Sequence, residues 1–67
     1  MADRIATYAF TDKDNYEAAK YKLNSEFGGS AWDSGYNSDY WLIHILSDCN
    51  NTGKAGQICS GYGGKAY

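Results

Sequence analysis

The sequence contains no proline and only two cysteines and one histidine. Its formal net charge is only −2 over 67 residues. Its longest apolar run, residues 41–46, is interrupted by His44 and is far too short to cross a membrane. Two cysteines and one histidine cannot complete a tetrahedral zinc site without a carboxylate or a second chain. Lysine and arginine form no run that could follow a phosphate backbone. The composition therefore excludes a membrane-spanning segment and disfavours metal binding and direct nucleic-acid binding.

Aromatic residues are what the sequence has in excess: seven tyrosines, two tryptophans and two phenylalanines make up 16% of the chain. Tyrosine and tryptophan present large, stiff, amphipathic surfaces and are enriched where proteins contact other molecules. The length predicts a single compact domain, residues 1–67, and a domain this small buries only about 60% of the surface of its unfolded chain. Little material remains for a deep enclosed active site, so a binding role is favoured over catalysis.

The first part of the sequence predicts a strand followed by a helix. Residues 4–10 alternate in the manner of a strand, and Thr11 or Asp12 can cap a helix that Gly28 ends. The apolar stripe of that helix consists of Tyr16, Ala19, Leu23 and Phe27. We expect Tyr16, Leu23 and Phe27 in the core, together with Trp41 from a later strand.

The middle of the sequence predicts a short strand, a turn and a central strand. The short extended piece lies around Ala31 and Trp32, and the turn-forming residues 33–38 follow it. Residues 39–46 carry the strongest strand pattern, with apolar or aromatic side chains on both faces. A strand of this kind sits centrally in a sheet, and its second face is either covered or used for contact.

The last part of the sequence allows two interpretations. Asn51 or Thr52 can cap a short helix that residues 63–64 end, with an edge strand at residues 65–67. A glycine-rich hairpin or loop is the alternative, because each interior glycine costs a helix about 1 kcal/mol relative to alanine. The helix gives the order β-α-β-β-α-(β). We therefore predict a small α+β domain with a ferredoxin-like sheet and two helices on one face.

Cys49, Cys59 and His44 leave three interpretations open. The cysteines pack as free, partly buried thiols, or form a disulfide that would contribute about 2–3 kcal/mol, or act with His44 in a very small Cys/His enzyme. Residues 1–4 contain no apolar leader, so we expect a cytoplasmic protein, and reducing compartments keep thiols free. The sequence predicts no catalytic residue, cofactor or metal ion.

We expect the chain to bind another protein through aromatic and acidic surface residues. The aromatic contact residues are Trp32, Tyr36, Tyr40, Tyr62 and Tyr67. The acidic contact residues are Asp12, Asp14, Glu17, Asp33 and Asp39. In size and charge the chain is similar to phage-encoded inhibitors of host defence complexes, anti-CRISPR proteins among them. That similarity implies steric inhibition, in which the acidic residues meet basic residues that otherwise hold nucleic acid.

Two further partners have sequence features in their favour. Tyr8 and Phe10 of the first strand, with Tyr40, could form a stacking platform for RNA or single-stranded nucleic acid, although the acidic net charge disfavours it. A second copy of the chain could cover the open face of the strand at residues 39–46, which would make a homodimer.

Overall fold

A computed structural model of the chain describes residues 3–67, which form a four-stranded antiparallel sheet and two helices. The elements in chain order are β1 (Arg4–Phe10), α1 (Lys13–Phe27), β2 (Trp32–Tyr36), β3 (Trp41–Leu46), α2 (Thr52–Gly61) and β4 (Lys65–Ala66). The strand order across the sheet is β2-β3-β1-β4. These findings confirm the predicted α+β class, the order of the elements and the central position of β3. The prediction drawn from Met1 and Ala2 lies outside the described residues.

The two central strands bury one face under the helices. Phe10 lies opposite Trp41 and Tyr8 opposite Ile43, so these side chains share a face. Both helices pack against β1 and β3 and against each other, which places them together on that face. Phe10 and Ile43 are almost completely buried there, at 1% and 0% exposure.

Helix α1 forms where the sequence predicted it, because its two ends are capped. The Asp12 side chain accepts hydrogen bonds from the backbone N–H groups of Asp14 and Asn15 at 2.8 and 3.2 Å. Gly28 ends the helix with a φ of 82°, a left-handed conformation that favours glycine. The apolar stripe faces the core: Tyr16, Ala19 and Leu23 are buried, and Phe27 packs against them half-buried.

The turn predicted over residues 33–38 is wrong, because Asp33 to Tyr36 belong to β2. The turn chemistry is concentrated at Asn37, whose Oδ1 accepts from the backbone N–H groups of Asp39 and Tyr40 at 2.9 and 2.8 Å. Together with the backbone hydrogen bond from Asn37 N–H to the Tyr40 carbonyl at 3.0 Å, this side chain closes the hairpin between β2 and β3. The preceding residues are therefore free to pair with β3, and β3 begins at Trp41 rather than at residue 39.

The end of the chain adopts the predicted helix and edge strand. Asn51 caps α2 by accepting from the backbone N–H of Lys54 at 3.0 Å. Within α2, Gly56 serves close packing, because a Cβ there would lie 2.6 Å from the Tyr8 hydroxyl. The cost of glycine in a helix is therefore offset by the close approach of α2 to β1.

The core lies between the helices and the sheet and includes both cysteines. Cys49 and Cys59 are free and buried there, as predicted by the free-thiol interpretation. Of the predicted core residues, Tyr16 and Leu23 are buried, whereas Phe27 and Trp41 pack half-buried against the cluster. Neither of the helices in residues 3–67 is long and apolar enough to span a membrane.

Candidate functional site

The sheet face opposite the helices carries the candidate site. Thr7 lies opposite His44, and Ala9 lies opposite Leu42, on this open face. Lys65 of β4 pairs with Ala9 from the other side and shares the same face. Both helices pack on the opposite face. Leu42 and His44 are nevertheless only 8% exposed, so these two side chains are not themselves available to another molecule.

Tyr67 crosses the open face from the edge of the sheet. Its backbone N–H donates to the Thr7 carbonyl at 3.0 Å, so pairing with β1 continues beyond β4. The Tyr67 hydroxyl accepts from Asn37 Nδ2 at 2.6 Å. Its ring meets that of Tyr40 edge-on, with centroids 6.1 Å apart. The two phenol rings are thereby held in a defined arrangement, although both remain accessible.

A groove of about 460 Å³ lies beside these rings, at the end of the sheet where the β2–β3 hairpin turns. Its lining residues are Ala9, Thr11, Tyr40, Gly63, Lys65, Ala66 and Tyr67. The strand register brings them together, since β1 ends opposite the start of β3 and beside the start of β4. We call the accessible polar and aromatic residues here the turn-end surface: Asn37, Asp39, Tyr40, Lys65 and Tyr67.

The predicted aromatic contact residues divide into two groups. Tyr36, Tyr40 and Tyr67 are exposed, at 66%, 37% and 66%. Trp32 and Tyr62 are half-buried and pack against the core. Trp32 is held there because it lies opposite Ile45 on the helix side of the sheet. Part of each of these two side chains therefore packs against the core, and only the remainder is accessible to a partner.

The predicted acidic contact residues are all exposed, but they do not form one patch. Asp39 belongs to the turn-end surface, and Asp12 follows Thr11 of the groove. Asp14 lies in the first turn of α1. Asp39 and Asp12 are therefore next in sequence to two residues that line the groove, Tyr40 and Thr11.

The remaining two acidic residues have basic neighbours of their own. Glu17 pairs with Lys20, three residues further along α1, at 3.4 Å. Asp33 lies 3.7 Å from Arg4, and both side chains are more than half exposed. Exposed pairs of this kind contribute little to stability, so neither residue is fixed by its partner.

His44 is a structural residue of the open face. Its Nδ1 lies 2.8 Å from the Thr7 hydroxyl, and a Cβ at Gly35 would come within 2.9 Å of its Nε2. Burial lowers the pKa of His44, the Arg4 guanidinium lowers it further, and the Asp33 carboxylate acts in the opposite direction. His44 is therefore neutral at physiological pH.

Cys59 and His44 are not arranged as a nucleophile pair. Burial raises the pKa of the Cys59 thiol to about 12, so the nucleophilic thiolate is scarce at neutral pH. Cys59 also lies in the core on the helix side of the sheet, whereas His44 lies on the open side. Within the described part of the chain, His, Cys, Asp and Glu side chains form no group of three or more that could hold a metal ion.

The prediction that Tyr8, Phe10 and Tyr40 form one stacking platform for nucleic acid is wrong, because the first two do not lie on the open face. Phe10 is buried, and Tyr8 faces Gly56 of α2, so both rings point into the helix side of the sheet. Only Tyr40 of the proposed three aromatics is accessible on the open side.

Three residues of the accessible surface were not predicted from the sequence: Asn37 and Lys65 at the turn-end surface, and Tyr21 on α1. Asn37 carried a usable signal, because Asn followed by further polar residues favours a turn capped by the Asn side chain. Lys65 was assigned only to an edge strand, and the 80% exposure of Tyr21 on α1 was not predicted. The contact between Asn37 and Tyr67, thirty residues apart, has no local sequence signal.

Comparisons with protein-family models, curated proteins and solved structures found no match to this chain.

Proposed function

We propose that this chain is a non-catalytic protein-binding module that contacts its partner through the turn-end surface. The observation that carries the proposal is the arrangement of Tyr67, which bonds Asn37 at 2.6 Å and meets Tyr40 edge-on at 6.1 Å. Exposed aromatic rings that are already held in place lose little conformational entropy on binding. Tyrosine is also among the residues that most often dominate binding energy at interfaces.

Charge favours a basic partner surface. The chain has a net charge of −2, and Asp39 and Asp12 lie exposed, each next in sequence to a residue that lines the groove. Electrostatic complementarity of this kind speeds association and selects the partner more than it increases affinity. Lys65, which lines the groove, supplies one opposite charge at the same surface.

The biological setting that we propose is steric inhibition of a host nucleic-acid-binding defence complex, as anti-CRISPR proteins do, in the cytoplasm. The small size and acidic charge of the chain support this setting. The tyrosines would anchor the inhibitor, and Asp39 and Asp12 would meet basic residues that otherwise hold nucleic acid.

The binding proposal is tested by affinity capture from a nuclease-treated lysate of the native host. The variant carries Tyr40→Ala and Tyr67→Ala, and the matched control carries Tyr21→Ala, because Tyr21 is equally aromatic and more exposed but lies on α1. We expect a stoichiometric protein partner with the wild type and the control, and its loss with the double variant. Recovery of nucleic acid alone without nuclease would instead favour a nucleic-acid-binding function.

A single-atom change tests whether the arrangement of the rings matters. Tyr67→Phe keeps the ring and removes the hydroxyl that accepts from Asn37. We expect the affinity for the captured partner to fall about fivefold to tenfold, the effect of one net hydrogen bond of about 1 kcal/mol. Unchanged affinity would show that the hydrogen bond between Asn37 and Tyr67 contributes nothing to binding.

The inhibitor setting has its own test, a plasmid-transformation assay in cells with an active CRISPR system that targets the plasmid. We expect the wild-type chain and Tyr21→Ala to restore transformation, and the Tyr40→Ala, Tyr67→Ala variant to fail. If the captured partner belongs to another process and no CRISPR system is inhibited, the setting is wrong while the binding role stands.

We further infer a ferredoxin-like arrangement of the chain. The chain contains two β-α-β units, β1-α1-β2 and β3-α2-β4. In support of this arrangement, β3 lies between the two strands of the first unit, and β1 lies between the two strands of the second. A solution structure tests this inference through the handedness of the two helical crossovers, which we expect to be right-handed.

A further inference from the structure

Strand β2 directs a row of backbone hydrogen-bonding groups away from the sheet. In an antiparallel pair, alternate residues exchange hydrogen bonds with the neighbouring strand. At the two ends of β2 the observed bonds join Leu46 N–H to the Ala31 carbonyl at 2.9 Å and Asn37 N–H to the Tyr40 carbonyl at 3.0 Å. The odd-numbered residues therefore bond to β3.

The even-numbered residues of β2, Trp32, Ser34 and Tyr36, consequently point their N–H and C=O groups outward. The Ser34 N–H agrees with this direction, since it donates to the side chain of Asp33 at 2.9 Å rather than to β3. That contact is solvent-exposed and local, so another acceptor can replace it.

Little in β2 protects this edge from pairing. It is an outer strand of the described sheet, with β3 as its neighbour there. Its sequence WDSGY contains no proline and no lysine, the residues that commonly block edge-to-edge association.

We propose that β2 pairs antiparallel with β2 of a second copy of this chain, with the two-fold axis at Ser34. In this register each outward donor meets an outward acceptor, because Trp32 lies opposite Tyr36 of the second copy and Ser34 lies opposite Ser34. Asp33 lies opposite Gly35 of the second copy, so the two carboxylates do not face each other. The strand is thus complementary to itself in hydrogen bonding, and the register places no two like charges directly opposite each other.

Side chains add to the same register. Trp32 and Tyr36 lie on the helix side of β2, opposite Ile45 and Trp41 of β3. Pairing would therefore set a tryptophan against a tyrosine at each end of the interface, a favourable cross-strand combination. A self-complementary patch of this kind forms a closed two-fold dimer. The dimer would join two sheets of four strands into one continuous sheet.

This inference does not depend on the proposed function. Because the two β2 strands run in opposite directions, the hairpin turns lie at opposite ends of the pair. Both turn-end surfaces would therefore remain accessible.

The first test is the molecular mass in solution, measured by sedimentation equilibrium from micromolar to millimolar concentration. Ser34→Pro removes the outward N–H without removing a bond to β3, and proline is tolerated on an edge strand at such a position. Ser34→Ala is the control, since it retains the N–H. We expect a concentration-dependent dimer for the wild type and Ser34→Ala, and a dissociation constant at least about tenfold higher for Ser34→Pro.

A second measurement locates the interface without relying on the proline variant. In a mixed sample of isotope-labelled and unlabelled wild-type chains, we expect an intermolecular NOE between the Hα atoms of Asp33 and Gly35, which face each other across a non-hydrogen-bonded pair. A mass that stays monomeric throughout overturns the proposal. So does a dimer that lacks this NOE, because the contact then lies elsewhere, for example on the open sheet face.

Discussion

At the scale of single residues, close packing decides which glycines the fold requires. A Cβ at Gly64 would lie 2.6 Å from Phe10 Cζ and 2.8 Å from the Cys59 carbonyl oxygen. The second contact is with backbone, which cannot move aside as a flexible side chain can. At Gly61, by contrast, no heavy atom of the described chain outside the local helix lies within 4 Å of such a Cβ.

Gly64→Ala is therefore expected to lower the free energy of unfolding by about 2–3 kcal/mol through overpacking. Gly61→Ala is the matched control and should be neutral or raise the free energy of unfolding by up to about 1 kcal/mol, because alanine restricts the unfolded chain. Urea denaturation of both variants measures the difference. Equal stability of the two would mean that β4 does not pack on Phe10 as described.

His44 makes the stability depend on pH. Its pKa in the folded protein lies below the ordinary value of 6.5, chiefly because the ring is buried. In mildly acidic solution the unfolded chain therefore binds a proton that the folded chain excludes, so stability falls as the pH falls below about 6.5 and is unaffected by His44 above it. Glu26, whose pKa is lowered by Lys54 and Lys22, acts only in the more acidic range below 4.5.

The expected result is a decline in the free energy of unfolding of the wild type between about pH 7 and about pH 5. His44→Gln should show a smaller decline over the same interval, because it has no imidazole to protonate. Urea denaturation at both pH values measures the two slopes. Parallel slopes would show that His44 titrates alike in the folded and unfolded chains.

At the scale of elements, capping side chains fix where the helices and the hairpin begin. Asp12 starts α1, Asn51 starts α2, and Asn37 closes the β2–β3 turn. The sequence narrowed each helix cap to two neighbouring residues, Thr11 or Asp12 and Asn51 or Thr52, since a capping residue before an apolar stripe is a local pattern. The strand β2 was placed too short because its polar residues resemble a turn when taken without β3. Pairing with β3 overrides that local preference.

The two roles of Asp12, helix cap and acidic contact residue, can be separated. Asp12→Ala removes the acceptor for two backbone N–H groups and should lower the free energy of unfolding by about 1 kcal/mol. Asp12→Asn keeps an acceptor and should be nearly as stable as the wild type. Thermal and urea unfolding measure the stability of both variants.

The contact role of Asp12 is tested with the captured partner. Asp12→Asn should bind that partner more slowly than the wild type, and an unchanged association rate would show that Asp12 is not part of the contact surface.

At the scale of the whole molecule, the core holds the fold together without a covalent link. Cys49 and Cys59 are free, and their side chains fill space between the helices and the sheet. A disulfide at this spacing would contribute about 2–3 kcal/mol, which in so small a domain would shift the melting temperature by roughly 8–24 °C.

We therefore expect the same melting temperature with and without a reducing agent. Calorimetry or circular dichroism measures it, with a free-thiol assay in denaturant as the control. Loss of stability on reduction, together with fewer than two free thiols before reduction, would restore the disulfide interpretation.

The sequence by itself determined the features that depend on neighbours along the chain: the strand β1, the helix α1 and the α+β class. For α2 and β4 it favoured the observed structure but also allowed a glycine-rich hairpin, and for each helix it offered two capping residues. Alternation, helical spacing and capping residues act within a few positions, so they can be read locally. The tertiary structure alone decided which face of β1 is open, and so turned Tyr8 and Phe10 inward. It also brought Tyr67 to Asn37 and packed Trp32 against the core. These outcomes depend on strand register and on contacts between distant residues, for which a single sequence carries no local pattern.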